Sequence, residues 1–97
     1  MLRDRQQMVE DCFEAHGIPV KVSFVRSGLS IHARAGNMPI ARFVPTGNGL
    51  VEVLWYSHRD KWDHIGDFGG VIMSLDKALG YVLSDAPGCF GIDFLIG

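Results

Sequence analysis

The apolar positions of this chain change period twice. From residue 4 to residue 16 they recur at helical spacing: Val9, Cys12, Phe13 and His16 fall at i, i+3, i+4 and i+7, with Met8 beside them. The stripe predicts a helix over 4–16. Asp4 is its expected N-cap, with Gln7 three residues on, and Gly17 and Pro19 supply the stop. From residue 20 the period falls to two. In VKVSFVR, Val20, Val22 and Phe24 oppose Lys21 and Ser23; in LSIHARA, Leu29, Ile31 and Ala33 oppose Ser30, His32 and Arg34. Ser27-Gly28 reads as the two-residue turn between them.

Alternation continues with less regularity. Gly36-Asn37-Met38-Pro39 predicts a turn, 40–44 a short third strand, and Pro45 to Gly49 another turn. Residues 50–57, LVEVLWYS, are dense in β-formers but apolar on both sides: Val51, Val53 and Trp55 against Leu50, Leu54 and Tyr56. That pattern predicts a central strand covered on both faces, or one with an aromatic on its open face. A tight connection at 58–61 leads to a short fifth strand at 62–65, and 66–70 read as a loop. The period then returns to helical. Leu75, Ala78, Leu79, Val82 and Leu83 form a full stripe behind Ser74 as N-cap, and Pro87-Gly88 ends the helix over 74–84. The tail CFGIDFLIG is apolar, readable as a last strand or as a segment that docks on a partner.

These elements predict an α+β fold in one domain, 1–97. It comprises an N-terminal helix, a four- to five-stranded antiparallel meander sheet, a C-terminal helix and a short apolar tail, with the helices on one face. Composition agrees: 47% hydrophobic and 21% charged residues exclude disorder. The net charge of −2 gives no overall attraction to nucleic acid or an acidic membrane. It is unevenly distributed, however. Residues 20–62 carry Lys21, Arg26, Arg34, Arg42, Arg59 and Lys61 against Glu52 and Asp60, and both ends are acidic. Either acidic helices cover a basic sheet, or a basic sheet face stands open to a ligand. Cys12 and Cys89 form no motif, no apolar run is long enough for a membrane span, and MLRDRQQMVED lacks a signal-peptide pattern, so two reduced thiols and a cytoplasmic location are expected.

Candidate chemistry concentrates in LWYSHRDKWDHIGDFGG, residues 54–70. Trp55, Tyr56, His58, Trp62 and His64 are the candidate ligand-binding residues. No ligand pair stands at a zinc spacing, so neither metal nor cofactor is expected. Ser57 and His58 are adjacent, which on a strand sends them to opposite faces and argues against a Ser–His dyad. GDFGG lacks the pattern of a phosphate-binding loop. Nucleic-acid candidates are Lys21, His32, Arg34 and Arg42 on the polar sheet face, with Trp55, Tyr56 or Trp62 as stacking platforms. The α-β-β-β-α order is similar to that of double-stranded-RNA-binding domains, but the second helix offers only Lys77 beside Asp76 where such a domain needs a lysine cluster.

The second half, VLWYSHRDKWDH followed by SLDKALGYVLSD and Gly88-Cys89-Phe90, resembles a small bacterial family known as domain of unknown function number 3024. The matching positions are Trp55, Lys61, Trp62, Leu75, Leu79, Asp85, Gly88, Cys89 and Phe90. Asp63, Gly91 and the continuation IDFLIG depart from the family pattern. The resemblance implies a small bacterial cytoplasmic α+β domain and no catalytic residue. Taken together, these features lead to a non-enzymatic binding or interaction module, expected to form a homodimer through its apolar tail or an exposed strand edge. The alternatives are a small-ligand binder or enzyme using the Trp55–Asp67 hairpin, and a weak nucleic-acid binder using the basic sheet face. Trp55 and Trp62 are also expected to pair across neighbouring strands.

Overall fold

The computed structural model describes residues 2–57, 59–66, 70–85 and 87–92. A 3-10 turn over Leu2–Arg5 leads into α1 (Gln6–Ala15). Then come β1 (Val20–Val25), β2 (Gly28–Ala33), β3 (Pro39–Gly47), β4 (Leu50–Tyr56), β5 (Trp62–His64), β6 (Val71–Ser74) and α2 (Leu75–Ser84). The six strands form one antiparallel sheet in the order β1-β2-β3-β4-β5, with β6 also paired to β4. β4 is therefore central. β3 lies along one of its sides; the other is shared by β6 along Leu50 to Val53 and β5 along Leu54 to Tyr56.

The α+β architecture read from periodicity is the one observed, with a sixth strand added. Val71–Ser74 is too short to show a period of its own; its identity as a strand comes from pairing with β4. Both helices pack on the same side of the sheet. Val9 and Phe13 of α1 and Ala78, Leu79 and Val82 of α2 meet Val20, Val22, Leu29, Ile31, Phe43, Val51 and Val53 in one buried cluster. Each fully buried side chain of this size contributes about 1.5–3 kcal/mol relative to exposure. The ladder registers put these sheet residues on one face, so the alternate positions face away from the helices.

Several boundaries differ from the sequence expectation, each for a local reason. The α-helix begins at Gln6 with Arg5 as N-cap and no side-chain cap, so Asp4 does not cap it. His16 closes α1 instead of extending its apolar stripe: it is exposed, and its Nδ1 lies 2.9 Å from the Cys12 carbonyl oxygen. The β1–β2 turn is Arg26-Ser27, one residue earlier than Ser27-Gly28, and both residues take positive φ (50° and 70°). Gly28 belongs to β2, where it pairs with Val25, and a Cβ there would lie 2.7 Å from the Phe43 carbonyl oxygen of β3. β3 runs on to Gly47 through a bulge near Thr46, and the turn is Asn48-Gly49. A second irregularity, opposite Ile31 and His32, lets both Ile40 and Ala41 enter the core. At α2 the expected cap holds: Ser74 Oγ accepts the Lys77 N–H at 3.4 Å.

Two expectations about partner contacts meet definite structure. The N-terminal segment contacts β1 at two points: Gln6 Nε2 donates to the Val22 carbonyl at 2.5 Å, and the Arg3 guanidinium lies 4.8 Å from the Phe24 ring centre. The apolar tail is divided. Phe90 and Ile92 are buried in the chain's own core, and residues 93–97 lie outside the described residues. Among the described residues no helix is long and apolar enough to cross a membrane.

Candidate functional site

The face of the sheet opposite the helices carries an aromatic–cationic cluster that crosses the strands. Lys21 of β1 stands opposite His32 of β2, and Ser30 of β2 opposite Arg42 of β3. Arg42 stands opposite Leu54 of β4, and Tyr56 of β4 opposite Trp62 of β5. Strand spacing separates β2 from β5 by about 14 Å, so side chains must lean together to touch. They do so around Trp62. Its ring centre lies 5.3 Å from that of Tyr56 at 85° and 6.1 Å from that of His32 at 87°, both edge-to-face. The Arg42 guanidinium lies 5.6 Å from the Trp62 ring centre. Trp62, Tyr56, His32 and Arg42 are half-buried and Lys21 is exposed.

The hairpin itself is firmly held. Ser57 N–H donates to the Lys61 carbonyl at 2.9 Å, and Tyr56 Oη donates to the Asp60 carbonyl at 2.9 Å. Tyr56 is thereby fixed at the hairpin and presents its ring to Trp62. Two cations and three rings thus share one patch. The carboxylate nearest along the open face, Glu52, is engaged by His64 Nδ1. His32 is held below the usual histidine range, first by burial and then by the Lys21 and Arg42 charges. It is neutral at pH 7, leaving the positive charge on Lys21 and Arg42.

The sequence candidates are redistributed by this geometry. Tyr56 and Trp62, from the hairpin set, join Lys21, His32 and Arg42, from the basic set, in one cluster. His64 is on the same face but is paired with Glu52. Trp55 points to the helix side, where it packs against the core, and its Nε1 donates to the His64 carbonyl at 3.2 Å. The expected Trp55–Trp62 pair is therefore replaced by Tyr56–Trp62, because the register sets Trp55 opposite Asp63. Arg34 also leaves the polar face: it follows the irregularity at the end of β2 and meets Glu10 of α1 at 3.4 Å. His58 lies outside the described residues.

The aromatic members of the 54–70 hairpin set divide between two faces, Trp55 on the helix side and Tyr56 and Trp62 on the open side. A cavity of about 410 Å³ lies at the opposite end of β4, lined by Leu2, Met8, Pro45, Leu50, Leu75 and Asp76 among others. A second, of about 380 Å³, is lined by Ile18, Pro19, Ala33, Arg34 and Ala35. Neither takes a residue from the aromatic–cationic cluster. Among the described residues no group of three or more His, Cys, Asp or Glu side chains converges on one point. Cys89 is pushed up to about 11, by burial first and by Asp85 second, so its thiol is protonated at neutral pH and a poor nucleophile. Burial and Asp76 likewise raise Cys12.

The convergence of Trp62 with Arg42 and His32 was hidden because alternation assigns a face but not which strands are neighbours. The Glu52–His64 pair has a partial signal: both lie on the open-face parity once the 57–61 turn length is fixed.

Comparison with protein-family models, with curated proteins and with solved structures gave no match. What the open face can do follows from its geometry alone.

Proposed function

We propose that the chain is a non-enzymatic binding module whose binding surface is the open face of the sheet around Trp62. The observation that carries the reading is the Arg42 guanidinium 5.6 Å from the Trp62 ring centre, with the Tyr56 and His32 rings near-perpendicular to the same indole. Among the described residues no helix packs on this tryptophan, and the core lies on the other face. A large aromatic and an arginine held together on a polar surface match the composition of interface anchors, where Trp, Tyr and Arg carry most of the binding energy. The preformed contacts lower the ordering cost of binding. Lys21 and Arg42 give the patch a positive potential, so its ligand carries negative charge.

The test is a pull-down from cell lysate with the full chain and with a Lys21→Glu, Arg42→Gln variant, at low and high salt. The expected result is an anionic component retained at low salt by the unaltered chain and lost from the variant. Identical retention by both proteins would overturn the open face as the binding surface.

A further inference from the structure

We infer that the occupant of this face is a single-stranded nucleic acid, its bases stacking at Trp62 and its phosphates lying between Lys21 and Arg42. The inference rests on the open-face binding reading and names its ligand. Each part of the cluster meets a different part of such a strand. Base faces stack on aromatic rings without regard to sequence, and the half-buried Trp62 indole is positioned for this by contacts rooted in the sheet. Phosphates need cations, and Lys21 and Arg42 have no ion-pair partner among the described residues. His32, neutral and flanked by both cations, keeps one ring nitrogen as donor and one as acceptor, suited to a base edge. A flat sheet face of about four strands accommodates about two or three unstacked bases.

Other occupants fit less of what is observed. A duplex keeps its bases stacked inside, so the rings would have no base to meet; the described residues also present no helix on this face to enter a groove. An acidic peptide would meet the cations with carboxylates but would need separate apolar side chains for the rings, whereas every unit of a strand carries both a phosphate and a base face. A second copy of the chain, docked two-fold by this face, would bring Lys21 and Arg42 of one subunit against the same charges of the other.

The experiment titrates the full chain with a labelled thymidine dodecamer, with a blunt duplex of equal length, and with heparin as a polyanion that has no bases. The single strand is expected to bind more tightly than the duplex. With two phosphates neutralised, the salt slope is about −1.4, a loss of about sevenfold from about 50 to about 200 mM salt. Trp62→Ala weakens single-strand binding by about tenfold and leaves heparin unaffected. Lys21→Glu, at an exposed position, weakens both ligands with an unchanged circular dichroism spectrum. In Trp55→Phe protein the one remaining indole is Trp62, and the dodecamer should quench its emission. This second readout leaves the aromatic cluster intact and decides the matter even where Trp62→Ala fails to fold. Heparin binding that depends on Lys21, with no quench and no preference for the single strand, overturns the nucleic-acid inference and leaves the binding face standing. No Lys21-dependent binding of any of the three ligands overturns the inference; unchanged lysate retention in the Lys21, Arg42 variant then removes the face as well.

Discussion

The carboxylate of Asp85 accepts the backbone N–H of Ile92 through Oδ2 at 3.2 Å. Its other oxygen accepts the N–H of Phe90 at 3.0 Å. Asp85 is also the C-cap of α2, in the left-handed region at φ 50°. One residue therefore stops the helix and ties down the segment after it. That segment delivers Phe90 and Ile92 to the core, where Phe90 meets Tyr81 edge-on at 6.0 Å.

Replacing Asp85 by Ala leaves two partly buried N–H groups without their charged acceptor. The expected cost is about 2–4 kcal/mol in a urea melt. Asp85→Asn tolerates the left-handed backbone and keeps one acceptor oxygen, so it should lose about half as much. An Asp85→Asn variant as stable as the unaltered chain would show that the carboxylate's paired acceptance contributes nothing beyond the left-handed cap.

The α+β order was legible because α1 and α2 each bury a stripe of one period and β1 and β2 each alternate. What was not legible depends on contacts distant in sequence. Gly28 looked like a turn glycine, yet it answers to Phe43 in the next strand, and the turn falls on Arg26 and Ser27, where neither Asn nor Gly marks the two positive-φ positions. Val71–Ser74 became a strand only by lying beside β4. The site was half legible: parity placed Lys21 and His32 together, but only the β4–β5 register brings Trp62 over Arg42.

Gly28→Ala should destabilise the fold by about 1–3 kcal/mol, since its Cβ would press on backbone and not on a side chain that can move. The replacement of Arg26 by Asn and Ser27 by Gly should act in the opposite direction, raising the melting temperature by relieving two positive-φ residues in the hairpin turn. Thermal melts of the two variants check both. A harmless Gly28→Ala would mean that β2 and β3 separate more easily than their register implies.

His32 makes stability fall on mild acidification. Its folded pKa lies below the ordinary value of 6.5, with burial as the main cause and Lys21 and Arg42 next. From 6.5 down to the folded pKa, the unfolded chain holds a proton that the folded chain does not, so stability declines with pH across that window and levels off beneath it. The urea midpoint should therefore drop further between about pH 7.5 and about pH 5.5 in the unaltered chain than in His32→Gln. Equal drops would remove His32 as the source.

The two tryptophans offer a test of which face each one occupies. Tyr56 and Trp62 meet edge-to-face at 5.3 Å, whereas Trp55 lies opposite Asp63 on the helix side. A double-mutant cycle over Tyr56→Leu and Trp62→Leu should give a coupling of about 0.5–1.5 kcal/mol, the range of such aromatic pairs beyond burial. The same cycle over Trp55→Leu and Trp62→Leu should give under about 0.5 kcal/mol, because the side chains stand on opposite faces and only the intervening backbone links them. A larger coupling for Trp55 than for Tyr56 would shift the β4–β5 register by one residue. That shift would carry Trp62 off the cationic face, and the binding surface built on Arg42 would go with it.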